Sequence, residues 1–361
     1  MLRFIRFLAI LLVGLALIAV TVLGVGTLVS LDWSRKYSHA LLELPALADA
    51  PPAGIVRIDV GEMEFRARVA GLENTGTPVL LLHGFPETSA MWIPLIDALA
   101  ATGHRVAAFD QRGYSPLARP DEVADYEMPK LVDDVLAMAD ALGWDRFHLV
   151  GHDWGSAVGW TTVMQSRRVI SWTSLSIPHT AAFGAALAND PEQQRRSRYF
   201  MLFRTPWLPE MLFGFNDFSL LKEMYGPMSA EQVSEYVAML SEPGALTAAL
   251  NWYRAMNAAP GGATFSARIA APTLFIWGNQ DMAVSRVAVD SQRQYFDGPY
   301  AEIELDAGHW LIEEAPQQVI PAIVSHIDAV DAPASPAPAI EPQIEPQTEP
   351  QSETQLEADA T

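Results

Sequence analysis

His148-Leu149-Val150-Gly151-His152-Asp153-Trp154-Gly155-Ser156 closes one apolar run and opens a stretch of helical character. Residues 147–150 have the length and apolarity of a strand buried on both faces. The small residues after them suit a sharp strand-to-helix turn. Gly151 and Gly155 flank Asp153 at the spacing of G-x-S-x-G, with a carboxylate where that pattern carries serine. Glycines are needed there because such a turn strains the central residue and crowds its neighbours, and the helix start beyond it favours an ionised carboxylate. A glycine-rich turn with an aspartate cap would fit the same letters, so the segment needs support from the rest of the chain.

That support begins with other short, nearly all-apolar runs at 79–82, 106–109 and 273–277. Two more strands are predicted at 55–60 and 64–69, the second alternating Phe65, Ala67 and Val69 with charged residues, and a further one at 301–305. Helical stretches at 91–101 and 129–142 lie between strands, the latter stopping at Gly143 as a C-cap would. Strand alternating with helix predicts an α/β fold with a mostly parallel, doubly wound sheet. Between 178 and 266 Pro, Met, Trp and Tyr cluster and helices such as 230–240 and 244–256 dominate. The expected organisation is a core in two parts, 55–177 and 267–330, with a helical lid at 178–266 between them.

Three further loops fall just past predicted strands. His83-Gly84-Phe85-Pro86-Glu87 follows the run at 79–82. A loop there supplies one backbone donor for developing negative charge and the residue after the nucleophile supplies the other, which assigns the amides of Phe85 and Trp154 as an oxyanion hole. The setting suits a cis bond before Pro86, and His83 and His152 read as structural hydrogen-bonders. Trp277-Gly278-Asn279-Gln280-Asp281 places an acid past the next strand, and Asp306-Ala307-Gly308-His309-Trp310 places a histidine past the last. Nucleophile, acid, histidine is the chain order of a doubly wound hydrolytic triad. Asp281 or His309 alone would pass for a solvated loop residue; four pieces in order, each at a strand end, make a catalytic site.

HGFPE, DQRGYS (110–115), GHDWG and LNWYR (250–254) together resemble motifs of the epoxide hydrolases of the α/β-hydrolase fold, over about residues 55–328. The resemblance implies two lid tyrosines, which map onto Tyr199 and Tyr253, with Tyr225 and Tyr236 as fallbacks for the first. It also implies the chemistry. Asp153 attacks an epoxide carbon to form an ester, the two phenols protonate the alkoxide, and His309, held by Asp281, activates water to cleave the ester. The expected partners are a small apolar epoxide and water, with no cofactor and no metal. Dehalogenases of this fold share the aspartate nucleophile but cradle a halide with side-chain N–H groups. Trp154 offers one, Phe85 offers none, and Trp207 and Trp252 would have to compensate. Asp153 excludes a serine esterase, and an idle binding module would have no need of the full set.

Composition bounds the rest. The chain has 361 residues, half of them hydrophobic, and no cysteine, which excludes disulfides and thiolate chemistry. Its formal charge is −20; the stretch 331–361 holds seven acids and no base, leaving 36 acids against 23 bases elsewhere. Such an acidic body repels phosphate backbones, so no nucleic-acid partner is expected. The tail 331–361, with its Ile-Glu-Pro-Gln repeats, should be disordered. Residues 7–31 are 25 uncharged residues behind Arg3 and Arg6, long enough as a helix to span a hydrocarbon layer of about 30 Å. A cleaved signal would have an apolar stretch of about 7–15 residues ending in small ones. The expectation is therefore a membrane anchor through the lipid bilayer (1–31), then a connector (32–54). Arg3 and Arg6 against Arg35 and Lys36 lean towards an extracytoplasmic catalytic domain.

Overall fold

The computed structural model describes residues 12–15, 17, 18, 21, 44–226, 228–256 and 267–332. One eight-stranded sheet runs in the order β1-β2-β4-β3-β5-β6-β7-β8. Its strands are β1 (Ala53–Val60), β2 (Met63–Ala70), β3 (Pro78–Leu82), β4 (Arg105–Phe109), β5 (Phe147–His152), β6 (Val169–Leu175), β7 (Thr273–Gly278) and β8 (Tyr300–Leu305). β1 and β2 form an antiparallel hairpin, β2 pairs antiparallel with β4, and the remaining pairings are parallel. Every residue of β3, β5 and β7 is buried, as expected where helices pack on both faces. Those helices include α1 (Ile93–Ala101), α2 (Met128–Ala141) and α3 (Trp154–Gln165).

β6 is the strand that the sequence pattern does not announce. Ser171, Thr173 and Ser174 interrupt its apolar residues, yet all three are buried. Ser171 Oγ lies 2.7 Å from His148 Nδ1 and Ser174 donates to the Ile177 carbonyl at 2.7 Å. Polar residues with such partners can be buried at little cost.

Among the described residues, seven helices lie between β6 and β7: α4 (Thr180–Asn189), α5 (Pro191–Arg196), α6 (Tyr199–Phe203), α7 (Leu208–Gly214), α8 (Ser219–Met224), α9 (Ala230–Leu240) and α10 (Ala245–Ala255). Specific bonds hold this lid to the sheet loops. Trp252 donates its indole N–H to the Arg112 carbonyl at 2.8 Å, Tyr225 its hydroxyl to Pro86 O at 2.8 Å, and Arg119 pairs with Glu242 at 2.6 Å. After β7 come α11 (Arg286–Asp290), α12 (Leu311–Glu314) and α13 (Pro316–Asp331).

The ends of the chain depart from expectation in two places. The connector is not wholly free of structure: Ala46 bridges to Arg57, Leu47–Asp49 forms a short helical turn, and β1 already begins at Ala53. The tail begins one residue later than expected, because Asp331 still closes α13 and bonds His148 Nε2 at 3.0 Å. The rest of the tail lies outside the described residues. So does most of the segment 7–31, where the few described residues are helical. Among the described residues no helix is long and apolar enough to cross a membrane.

Candidate active site

Asp153 sits between β5 and α3 with φ 50° and ψ −118°, a backbone geometry that side-chain-bearing residues rarely adopt. The turn holds because its neighbours have no side chains. A Cβ on Gly155 would fall inside 3.0 Å of the Leu82 backbone, and one on Gly84 would collide with the Asp153 side chain. The loop after β3 therefore lies directly against the carboxylate, and the Phe85 amide donates to Asp153 Oδ1 at 2.9 Å. Trp154 is the first residue of α3, so its amide is among the helix-start N–H groups without an intrahelical partner. The bond between Phe85 and Pro86 is cis.

His309, after β8, brings Nε2 to 3.8 Å from Asp153 Oδ2, while its Nδ1 lies 3.0 Å from Asp281 Oδ2. Asp281, after β7, is wholly buried and accepts from the amides of Ala283 at 2.7 Å and Val284 at 3.2 Å. Burial works against its charge, but His309 and these bonds hold its pKa below the usual carboxylate range. Burial also opposes a charge on His309. The carboxylates of Asp281 first and Asp153 next outweigh it, and the imidazole is pushed up to about 9.

Several residues here were not singled out from the sequence. Ser176, at the end of β6 with φ 72°, donates to Asp281 Oδ2 at 2.6 Å and lies 3.0 Å from His309 Nδ1. Its contacts are 105 and 133 positions away in the chain, and no local motif marks it. Behind His309 is a second buried set. His152 contacts Glu87 Oε2 at 2.8 Å through Nδ1 and the His309 carbonyl at 3.0 Å through Nε2. The carboxyl groups of Glu87 and Glu313 are close enough to influence each other's charge. Burial pushes Glu87 up to about 8, so it is mostly protonated at neutral pH, and raises Glu313 well above the ordinary range. Burial also lowers His152 to about 4. His83 is engaged with the Gln111 amide at 3.0 Å and with Gly84 O at 2.9 Å.

A cavity of about 520 Å³ opens onto Asp153 and is lined mainly by apolar side chains, among them Met128, Leu131, Phe183 and Leu187. Tyr199 and Tyr253 line the same cavity, with ring centroids 6.1 Å apart. The Tyr253 ring also lies against the Trp154 indole, centroids 5.1 Å apart and nearly perpendicular. Burial raises both phenols well above their usual pKa, and the Asp153 charge adds to this. Tyr225 and Tyr236 lie elsewhere: the first is bonded to Pro86 O, and neither lines the cavity. Of the two lid tryptophans that a halide site would recruit, Trp252 lines the cavity and Trp207 does not. The Trp252 indole N–H is spent on Arg112, and Trp207 is 69% exposed on the outer face of the lid.

A family model described as alpha/beta hydrolase fold matches residues 77–206. Epoxide hydrolase 3 of Xenopus tropicalis is 33% identical over 83% of this chain and 84% of its own length. Epoxide hydrolase A of Mycobacterium tuberculosis is 31% identical, over 74% and 95%. The chain belongs to the epoxide hydrolase family. Among solved structures, the epoxide hydrolase A of Mycobacterium thermoresistibile superposes with a TM-score of 0.67 at 26% identity, covering 76% of this chain and 98% of that one. The epoxide hydrolase of Bacillus megaterium, in complex with an inhibitor, gives 0.68 at 25%, covering 75% and 99%. The first described residues, 12–21, fall outside the matched fold of the family model, as does everything after residue 206. Tyr199 lies inside that span and Tyr253 beyond it; both assignments rest on the motif match and on the geometry above.

Proposed function

We propose that this epoxide hydrolase opens a small apolar epoxide to a vicinal diol through an ester on Asp153. The observation that carries the proposal is one arrangement: a strained, amide-bound carboxylate and two phenols facing a single apolar cavity, with a carboxylate-held imidazole 3.8 Å from that carboxylate. Asp153 attacks an epoxide carbon and the C–O bond breaks. Tyr199 and Tyr253 bind the departing oxygen and one of them protonates it, giving a neutral hydroxyl and a phenolate that is later reprotonated. Neutral His309 then takes a proton from water as the water oxygen adds to the ester carbonyl. The amides of Phe85 and Trp154 bind the resulting oxyanion, Asp281 holds the ring, and collapse releases diol and Asp153. A dehalogenase reading is not favoured, since Phe85 has no side-chain donor and Trp252 is already committed.

The decisive experiment uses His309→Gln. Substrate should leave an adduct of one epoxide mass on the intact protein, mapping to the peptide that contains Asp153. Normal turnover without an adduct would overturn the base assignment. The uncharged run 7–31 supports a second element of the proposal: a single N-terminal anchor, with the charge count favouring an extracytoplasmic catalytic domain. Removing residues 1–31 should then release an active, soluble enzyme, and a truncated chain that stays with the membrane would point to another attachment surface.

A further inference from the structure

The lid has an outer face that a water-exposed surface does not explain. Leaving aside the amino-terminal helical residues, eleven large apolar side chains are exposed among the described residues, and six of them fall between 201 and 220. They are Met201, Trp207, Leu208, Leu212, Phe215 and Leu220, with Met201, Trp207 and Phe215 each about 70% exposed. Isolated exposed apolar residues are ordinary, but a run concentrated in one segment marks an interaction surface. The pattern along α7 sharpens this. Pro209 and Phe213 are buried against the lid, while Leu208 and Leu212, at the i, i+4 spacing of one helical face, are exposed, as is Phe215 just past the helix end. A surface helix should carry polar residues on that face. α7 is apolar on both.

We propose that this face of the lid, carried by Trp207, Leu208, Leu212 and Phe215, docks into the interfacial layer of a lipid bilayer. The choice of a bilayer rests on the anchor reading given above, and three features favour it over a protein partner. Only residues 32–43 separate the apolar run 7–31 from the first described part of the domain, a tether of at most about 40 Å even when fully extended. The domain is therefore held within reach of that membrane. Charge agrees: the chain carries −20, yet between 195 and 222 there are five bases (Arg195, Arg196, Arg198, Arg204, Lys222) against two acids (Glu210, Asp217). Arg195 and Arg196 pair with Glu192 and Lys222 pairs with Asp217, so the stretch together with Glu192 keeps a net charge of +2. It is where the acidity that would repel anionic headgroups lapses. Trp and Phe at such a strip suit the headgroup level, where an amphipathic ring has one apolar and one wet side. α6, next along the lid, bears Met201 outward and Tyr199 and Phe200 on the cavity, so the same element joins the docking face to the site of an apolar substrate that dissolves in lipid.

The absence of cysteine allows a direct test on the full chain. Single cysteines at Leu212→Cys and Phe215→Cys, and at Asp145→Cys as a control, would carry an environment-sensitive fluorophore. Asp145 is exposed just before β5, at the end of the sheet away from the lid. In vesicles of phosphatidylcholine and phosphatidylglycerol, a lipid-borne quencher should reduce emission from 212 and 215 several-fold more than from 145. Equal quenching at all three sites would overturn the proposal. So would labels shielded from an aqueous quencher yet untouched by the lipid-borne one, since a second copy or another part of the chain would then cover the face. Alkaline carbonate extraction reports the anchor separately. A chain that resists extraction while 212 and 215 stay unquenched loses the docking face and keeps the anchor. Extraction with quenching intact does the reverse. Turnover of a water-soluble epoxide should be unchanged in Leu212→Glu/Phe215→Glu, whereas delivery of an epoxide dissolved in the vesicles should slow several-fold; unchanged delivery would count against docking.

Discussion

Replacing Asp281 with Asn isolates the electrostatic device at the centre of the site. His309 stands at about 9 although burial alone would lower it. The gap above an ordinary imidazole near 6.5 is worth about 3 kcal/mol, and the pull of the carboxylates must exceed that because burial opposes it. Asparagine keeps the shape but removes the nearer charge, 3.0 Å from Nδ1. With the largest raising charge gone and burial opposed only by Asp153 and Glu87, the imidazole pKa should fall from about 9. An amide donor facing Nδ1 would also favour the tautomer with its proton on Nε2, the atom that must accept one from water. Ester hydrolysis should slow by about 10²–10⁴-fold, the usual reach of a general base, while alkylation of Asp153 continues. Rapid-quench mass spectrometry should show the ester accumulating within a single turnover, and NMR titration of the ring should show the lowered pKa. The same shift predicts a stability profile. A raised imidazole pKa stabilises the fold fully below about 6.5, and that contribution is lost as pH rises through about 9. The melting-temperature gap between wild type and variant should therefore narrow above pH 9. An unaltered His309 pKa together with wild-type ester hydrolysis would refute the reasoning.

Tyr253→Phe should slow ring opening far more than hydrolysis of a preformed ester, because the phenol serves only the departing epoxide oxygen; equal pre-steady-state alkylation rates would remove it from the site. Gly84→Ala should abolish alkylation, since the new Cβ would collide with Asp153, and soluble folded protein with normal alkylation would show that the loop yields. Glu87→Gln should be tolerated in folding, because the carboxyl is already mostly neutral at pH 7. It should leave the acidic limb of the pH–rate profile in place and alter the profile near pH 8, where Glu87 would otherwise ionise; an identical profile across that range would mean Glu87 does not titrate in the working enzyme.

Most of what positions the chemistry was legible because it is local. A strand end, a glycine whose side chain has no room and a single reactive residue occur within a few positions of one another, as around Gly84, Asp153 and His309. β3, β4, β5 and β7 announced themselves by continuous apolarity for the same reason. β6 did not, because Ser171, Thr173 and Ser174 interrupt its apolar run, and the His148 partner that lets Ser171 be buried comes from the neighbouring strand. Ser176 was invisible on the same ground: its value lies in reaching Asp281 and His309 across the sheet. Glu87 could be read as part of a motif, but nothing in its neighbourhood in sequence foretells a carboxyl neighbour at Glu313 or a proton held on Glu87. The ordered end of the connector went unannounced for a related reason. Its Ala- and Pro-rich sequence has no strand periodicity, and Ala46 is ordered only by pairing with Arg57 on the sheet edge.

The protonation states also fix the order of events on the proposed pathway. With Glu87 mostly neutral at pH 7, the charges that act on His309 are chiefly those of Asp281 and Asp153, so against the imidazolium one negative charge is left uncompensated. Attack on the epoxide moves that charge from Asp153 to the opening oxygen, and a phenol neutralises it by giving up a proton. The phenolate left behind belongs to a group whose pKa lies well above 10. Imidazolium at about 9 is the stronger acid of the two, and it becomes stronger still once esterification has erased the neighbouring Asp153 charge. The proton therefore runs downhill, through solvent, from His309 towards the tyrosine. Ring opening thus resets the general acid and produces the neutral imidazole that water activation requires. An enzyme caught with a charged His309 before the first step is not idle; it is loaded for the first step, and the first step itself makes the base for the second.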